Sequence, residues 1–271
     1  MKITFVGAGS MAEAMISGLV KNNIVEVHDI YVTNRSEKTR LEYIKNQYGV
    51  QTSYNLHDLM HRAKIVILAV KPKDAKAVLQ KISSYIHPDS LIISVIAGVS
   101  LSTIENILNI QVPIVRAMPN TSATIGQSAT ALAKNQFVDE NQLKQAFCLF
   151  SAIGMTVMVE EEKLDAVTGL SGSGPAYIYY IVEAFEKSAE ELGLESEMAK
   201  QLIVQTLIGA AEMLNYSKEK AENLRMAVTS PGGTTEAGIR VLDHNKVKEA
   251  VIHCIKEATL QSKRLSKQHG K

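Results

Sequence analysis

Gly7, Gly9 and Ala12 stand in the pattern G-x-G-x-x-A, directly after the β-branched and aromatic run 2–6 and at the start of a helix-compatible segment. That spacing is the dinucleotide fingerprint in the form whose third small residue is alanine. Gly7 permits the sharp turn, Gly9 lets backbone approach a pyrophosphate, and Ala12 lets the helix lie close on its strand. Ser10 and Met11 open the helix, so their N–H groups and the positive helix end would face the phosphates. A lone G-x-G-x-x-A also occurs in loops that bind nothing. Here the strand before it and the helix after it select the dinucleotide reading.

The end of the second strand decides which nicotinamide cofactor is meant. NAD selectivity usually needs a carboxylate there, and NADP selectivity a cation with small polar groups for the 2′-phosphate. This chain offers Thr33-Asn34-Arg35-Ser36, with no carboxylate until Glu37 and with Asp29 at the strand's other end. Arg35 can fork onto a phosphate or stack on adenine, against the alternative of a solvated loop arginine. NADPH is therefore expected, with NADH possible. The turns Ala69-Val70-Lys71-Pro72 and Val95-Ile96-Ala97-Gly98 should line the same crevice, Lys71 either neutralising a phosphate or capping a sheet edge.

Two glycine-rich stretches mark the second half. Ser171-Gly172-Ser173-Gly174-Pro175-Ala176-Tyr177 precedes a helix, with Pro175 where a missing N–H costs nothing. Ser230-Pro231-Gly232-Gly233-Thr234-Thr235 precedes another, and its consecutive amides beside a helix N-terminus form a candidate carboxylate cradle. Each taken alone is more often a helix-capping turn than a binding site. Their attachment to a dinucleotide fold favours binding.

These residues need elements to hold them. Strand patterns at 2–6, 29–33, 50–52, 65–70, 91–96, 112–117 and 129–133 alternate with helical ones, and 156–159 can add an edge. Continuous apolar strands alternating with helices predict a doubly wound parallel sheet, an α/β Rossmann-type domain over 1–160. From Lys163 onward the pattern is helical, giving an all-α domain over 161–271. The stretch 202–211, Leu-Ile-Val-Gln-Thr-Leu-Ile-Gly-Ala-Ala, is apolar on nearly every face. A subunit interface is expected to cover it, the alternative being a central helix in a monomeric bundle.

Bulk properties narrow the classes. Lys plus Arg number 29 against 28 for Asp plus Glu, so charge makes no case for nucleic acid or a membrane surface. No apolar run is long enough to span a bilayer, and the chain opens directly into a strand, so a cytoplasmic location is expected. Cys148 and Cys254 lie in amphipathic helical patterns and the histidines are scattered, so neither a disulfide framework nor a metal site is expected.

At its motifs the chain resembles the pyrroline-5-carboxylate reductases over essentially its whole length. The residues that carry the likeness are V-G-A-G-S-M-A near the start, A-V-K-P at 69–72, M-P-N-T at 118–121, L-S-G-S-G-P-A-Y at 170–177 and V-T-S-P-G-G-T-T at 228–235. The resemblance implies NAD(P)H-dependent reduction of a small-molecule substrate, L-1-pyrroline-5-carboxylate, to L-proline. It also implies a homodimer formed through the helical domain, larger assemblies of dimers occurring in the family. Ser122 stands where the family's loop has a second proline. Carried over residue by residue, Thr235 is the catalytic threonine, its hydroxyl near the ring nitrogen. Ser230, Gly232, Gly233, Thr234 and Thr235 hold the substrate, and Asn55, Ala69, Val70, Lys71, Pro72, Ala97 and Asn120 join the cofactor set. A family asparagine near the cofactor appears here as Ala227, so that contact is not carried over. A β-hydroxyacid dehydrogenase shares the two-domain plan and the turn at Gly169, Gly172 and Gly174, but would need a lysine where this chain has Ile178. A non-catalytic NADP-binding regulator is the reading of a different class. A deazaflavin-linked oxidoreductase, whose N-terminal domain is similar, should lack the helical half.

Overall fold

A strand covered on both faces is apolar at every position, as Ile65-Val66-Ile67-Leu68 is. In the computed structural model, which describes residues 1–269, the strands are β1 (Ile3–Val6), β2 (Ile30–Thr33), β3 (Gln51–Thr52), β4 (Ile65–Leu68), β5 (Leu91–Ser94), β6 (Ile114–Met118), β7 (Ser128–Lys134) and β8 (Gly154–Met158), with β1, β4 and β5 buried at every position. They make one sheet in the order β3-β2-β1-β4-β5-β6-β7-β8. The intervening helices are α1 (Ser10–Lys21), α2 (Lys38–Tyr48), α3 (Leu56–Met60), α4 (Ala75–Ile82), α5 (Leu101–Leu108) and α6 (Glu140–Ser151).

Strand side chains alternate between faces, so each strand feeds two cores. Phe5, Val32, Ile65, Ile67, Leu91 and Ile93 pack with Met15 and Ile16 of α1, Ile44 of α2 and Phe150 of α6. Val66, Leu68 and Ile92 face the other way, onto Leu59 of α3, Leu79 of α4 and Ile104 of α5. This is the doubly wound arrangement expected.

The sheet departs from an all-parallel one at its far edge. β1 to β6 run parallel, but β7 is antiparallel to β6, and β8 pairs parallel with β7. Only residues 119–127 separate β6 from β7. A parallel return needs a crossover of about a dozen residues or more, so the chain turns back instead.

The described chain forms two compact units, residues 1–175 together with the stretch from Lys256, and residues 176–255. The first unit thus extends past the change of pattern near residue 160. Beyond residue 160 it takes in α7 (Leu164–Val167) and a π-helical turn, Thr168–Gly172. Leu164 packs on Ala131 and Ala133 of β7, and Asp165 Oδ1 accepts from the hydroxyls of Ser262 at 2.6 Å and Ser266 at 3.3 Å. Burial and hydrogen bonds, which composition does not display, hold both segments to the sheet unit.

The remaining helices are α8 (Gly174–Glu191), α9 (Ser196–Tyr216), α10 (Ala221–Ala227), α11 (Thr234–His244) and α12 (Val247–His269). Within 176–255 only Ala189 and Ala199 are buried, and in α9 Leu202 is 57% and Ile208 50% exposed. A central helix in a monomeric bundle is therefore excluded. So much exposed apolar surface marks an association face. No helix among the described residues is long and apolar enough to cross a membrane. Cys148 and Cys254 are free and exposed, and no metal-holding group of His, Cys, Asp or Glu occurs among the described residues.

One ion pair fastens the start of α5. Glu161 Oε1 accepts from the Leu101 amide at 2.7 Å and from Arg116 Nη1 at 2.6 Å, with the Arg116 side chain only 12% exposed. Removing the carboxylate strands a nearly buried guanidinium and an uncapped amide. Glu161→Ala should lower urea-unfolding stability by about 2 kcal/mol, a figure reduced from the fully buried case because Glu161 is partly exposed. A change under about 0.5 kcal/mol, the size of an ordinary surface pair, would refute the reading.

Candidate functional site

Parallel pairing brings the strand ends into line. Val6 lies opposite Thr33 on one side and Leu68 on the other, and Leu68 opposite Ser94. The turns after β1, β2, β4 and β5 therefore leave from one edge. Between β1 and β4 the winding reverses, which is where such sheets open a crevice. Gly7 donates to the Thr33 carbonyl at 2.9 Å and has φ +116°, and a Cβ there would lie 2.3 Å from the Ala69 carbonyl oxygen. Only glycine lets these two turns meet.

Gly9 is exposed, and a Cβ on it would meet nothing within 4 Å. It precedes α1 without a side-chain cap, and the Ser10 and Met11 amides have no protein acceptor among the described residues. Open space, free first-turn amides and a positive helix end suit a pyrophosphate. The donor set fits the nucleotide that the fingerprint implies.

At the end of β2 the Asn34 side chain is held on three sides. Its Nδ2 donates to the Glu37 carbonyl at 2.7 Å, and its Oδ1 accepts from the Glu37 amide at 3.0 Å and from Tyr54 Oη at 3.1 Å. Arg35 is 90% exposed in its side chain and only 3.9 Å from Asp74, a surface pair worth little. Its donors are therefore largely solvated. Ser36 is exposed beside it. Asn55 caps α3, its Oδ1 accepting from the His57 amide at 3.0 Å. After β4, Ala69, Val70 and Pro72 are half-buried, while Lys71 is exposed and its ammonium has no partner among the described residues. Ala97 is exposed in the turn after β5.

Asn120 is buried and acts as a brace. Its amide donates to Ser128 Oγ, its Oδ1 accepts from the Ser122 amide, and its Nδ2 donates to the Ser171 carbonyl, each at 3.1 Å. The last bond ties the turn after β6 to the π-helical Thr168–Gly172, a conformation frequent at functional sites. The sequence suggested a glycine turn there. Instead the Ser173 amide reaches the Thr168 carbonyl at 2.8 Å, so the chain stays helical into α8.

Sequence reading missed Arg40. Its Nε donates to the Ala8 carbonyl at 2.7 Å, and its Nη2 pairs with Glu13, whose other oxygen accepts from Tyr48 Oη at 3.0 Å. Burial pushes the Glu13 carboxyl up, but the bonds from Arg40 and Tyr48 outweigh it and hold the group below its ordinary value. No motif links positions 8, 13, 40 and 48. Only the packing of α2 against the first turn brings them together.

In the second unit, the 230–235 turn corrects one expectation. The Gly233 amide donates to the Ser230 carbonyl at 3.0 Å, and the Gly232 amide to Glu236 Oε2 at 2.8 Å. Of the amides of Gly232, Gly233, Thr234 and Thr235, two are thus engaged, Gly233 by the turn's own backbone and Gly232 because Glu236, the third helical residue, reaches back one residue beyond the N-cap. Glu236 is itself held by Arg240 at 3.0 Å. The Thr234 and Thr235 amides open α11, which Gly233 leaves without a side-chain cap, and Thr235 is exposed. Gly232 has φ +72°, where a β-carbon is strained. Ile178, in place of a β-hydroxyacid dehydrogenase's lysine, is 47% exposed and carries no base.

Comparison with known proteins joins the two halves. Residues 161–265 match the family described as pyrroline-5-carboxylate reductase dimerisation, and residues 2–98 the family described as NADP oxidoreductase coenzyme F420-dependent. Pyrroline-5-carboxylate reductase 2 of Bacillus subtilis is 46% identical over 267 residues, covering 98% of this chain and 96% of that protein. The solved pyrroline-5-carboxylate reductase of Coxiella burnetii superposes with a TM-score of 0.90 at 39% identity, covering 97% of this chain and 98% of that one. That of Plasmodium falciparum, solved with NADP bound, gives 0.89 at 28% identity, covering 98% of each chain.

The Glu13 carboxylate sets a pH signature. Its folded value lies below the ordinary 4.5, so its contribution to stability is complete above that pH and is lost as pH falls through the lower folded value. Urea-unfolding stability should therefore fall more steeply below about pH 4.5 in the wild type than in Glu13→Gln. Equal slopes would show that the bonds to Arg40 and Tyr48 do not hold the carboxylate.

Proposed function

The chain belongs to the pyrroline-5-carboxylate reductase family, and from that premise we propose how its residues share the work and which cofactor they favour. The reaction is the NAD(P)H-dependent reduction of L-1-pyrroline-5-carboxylate to L-proline. Support for this assignment within one chain comes from a dinucleotide turn with open first-turn amides joined to the Ser230-to-Thr235 turn.

When bound, the nicotinamide supplies the hydride. Gly7, Gly9, Ser10 and Met11 hold the pyrophosphate, and Ala69, Val70, Lys71, Pro72 and Ala97 line its path, with Lys71 adding positive charge. Asn34, Arg35 and Ser36 receive the 2′-phosphate, so NADPH is preferred over NADH. Asn55 and Asn120 keep the turns at that edge in place. In the second unit the Thr234 and Thr235 amides take the substrate carboxylate, with Ser230, Gly232 and Gly233 shaping the turn. A protonated cyclic imine is already electrophilic at carbon, so reduction needs orientation and a hydrogen bond at nitrogen more than a strong acid. The Thr235 hydroxyl provides that bond. An unperturbed hydroxyl is a poor general acid, so the proton arrives with the iminium or through water. The helical domain, taken as 161 onward, pairs two copies through the exposed face of α9, and the enzyme works in the cytoplasm.

Steady-state assays on pyrroline-5-carboxylate should give a lower KM for NADPH than for NADH, and Thr235→Ala should reduce kcat/KM by about 10- to 100-fold, the loss of one hydrogen bond in the transition state. An unchanged kcat/KM would remove Thr235 from the site.

Mass measurement in solution should find a dimer or a multiple of it. Replacing Leu202 and Ile208 together by aspartate should shift the mass toward the monomer. A wild-type monomer at micromolar concentration would overturn the assignment of α9.

A further inference from the structure

We propose that Arg40 is a positioning residue for the cofactor, aiming the dinucleotide turn at the pyrophosphate without touching the nucleotide itself. The inference rests on the cofactor reading above and adds a residue to it. Arg40 reaches from α2 with Nε on the Ala8 carbonyl oxygen at 2.7 Å and Nη2 on Glu13, and its side chain is only 23% exposed. Ala8 sits between the two glycines of the fingerprint. In a planar trans peptide the C=O of one residue and the N–H of the next point in opposite directions. Drawing the Ala8 oxygen toward α2 therefore turns the Gly9 N–H away from it, and that amide has no protein acceptor among the described residues. Released from Arg40, that peptide is free to rotate its oxygen toward the phosphates, where like charge repels.

The pair has a second consequence. Glu13 lies in the first turn of α1, where a bare carboxylate would oppose a bound pyrophosphate. Arg40 cancels its charge, and Tyr48 Oη holds its other oxygen at 3.0 Å. A guanidinium whose Nε and Nη2 are held by a backbone carbonyl and a carboxylate, and whose side chain is only 23% exposed, is poorly placed to take a 2′-phosphate, whereas Arg35, 90% exposed, has its donors in the open. The two arginines therefore divide the nucleotide. Arg40 serves the pyrophosphate common to NADPH and NADH, and Arg35 the phosphate that distinguishes them.

Titration calorimetry of the full chain with NADPH and with NADH separates these roles. Arg40→Met should raise both dissociation constants by a similar factor, about tenfold, as expected for losing a charge-assisted bond and baring Glu13. Adding Glu13→Gln to it should recover part of the loss. Arg40→Lys keeps the charge but not the fork, and should weaken both ligands by about threefold. Arg35→Ala should weaken NADPH alone. Thermal melts of each variant separate loss of fold from loss of affinity in the folded protein. A loss confined to NADPH in Arg40→Met would make Arg40 the 2′-phosphate ligand and overturn the proposal, as would unchanged affinity for both. Failure of both Arg40→Met and Arg40→Lys to fold would also overturn it, making the residue structural. Wild-type protein that binds neither nucleotide would remove the cofactor reading and this proposal together, whereas normal wild-type binding with unaffected variants removes this one alone.

Discussion

The parallel hydrogen-bond register of β1 with its two neighbours is the constraint on which the rest depends. With Val6 opposite both Thr33 and Leu68, the chain leaves three adjacent strands at one level. The turns that begin at Gly7, Asn34 and Ala69 then share one edge, and Gly7 meets Ala69 closely enough that no side chain fits between them. Slipping the register would reverse which side chains face each core. Both faces are tightly packed, by Phe5 and Ile67 on one side and Val66 and Leu68 on the other, so the register is strongly specified.

α3, α5, α6 and α9 are closed by side chains of Asn55, Ser100, Asp139 and Glu195, each accepting from a first-turn amide. α2, α4 and α10 also start without a side-chain cap, but α1 and α11 begin directly after Gly9 and Gly233, which have no side chain to give. A helix start left without a side-chain cap keeps donors and a positive dipole end for an anion from outside. These are the two starts assigned above to the cofactor and to the substrate carboxylate. Helix α2 supplies backing for the first, through Arg40 on the Ala8 carbonyl. Glu236 backs the second by holding the Gly232 amide.

The helical unit follows a different logic. Residues 176–255 bury only two alanines, so they lack a core of their own kind and size. Apolar helix faces left open at this scale are satisfied by association, in keeping with the dimerisation family that the segment matches. The all-round apolar pattern of 202–211 already carried that message, since neither face of such a helix is suited to water.

Sequence alone determined the alternation of strand and helix, the first glycine turn, the absence of a carboxylate at the end of β2, and the apolar helix that needs a partner. Each is a local matter of residue type and period, written within about twenty neighbouring positions. Tertiary structure decided the reversed direction of β7, the π-helical path through Thr168–Gly172, the return of the last helix to the sheet unit, and the brace at Asn120. It alone brought Arg40 to Ala8 and Glu13. It also took two of the four expected amides of the 230–235 turn into the turn's own hydrogen bonds. Most of these depend on which polar groups find one another once the core has closed. Hydrogen-bond partners distant in the chain leave no period in the sequence, whereas burial of apolar faces does.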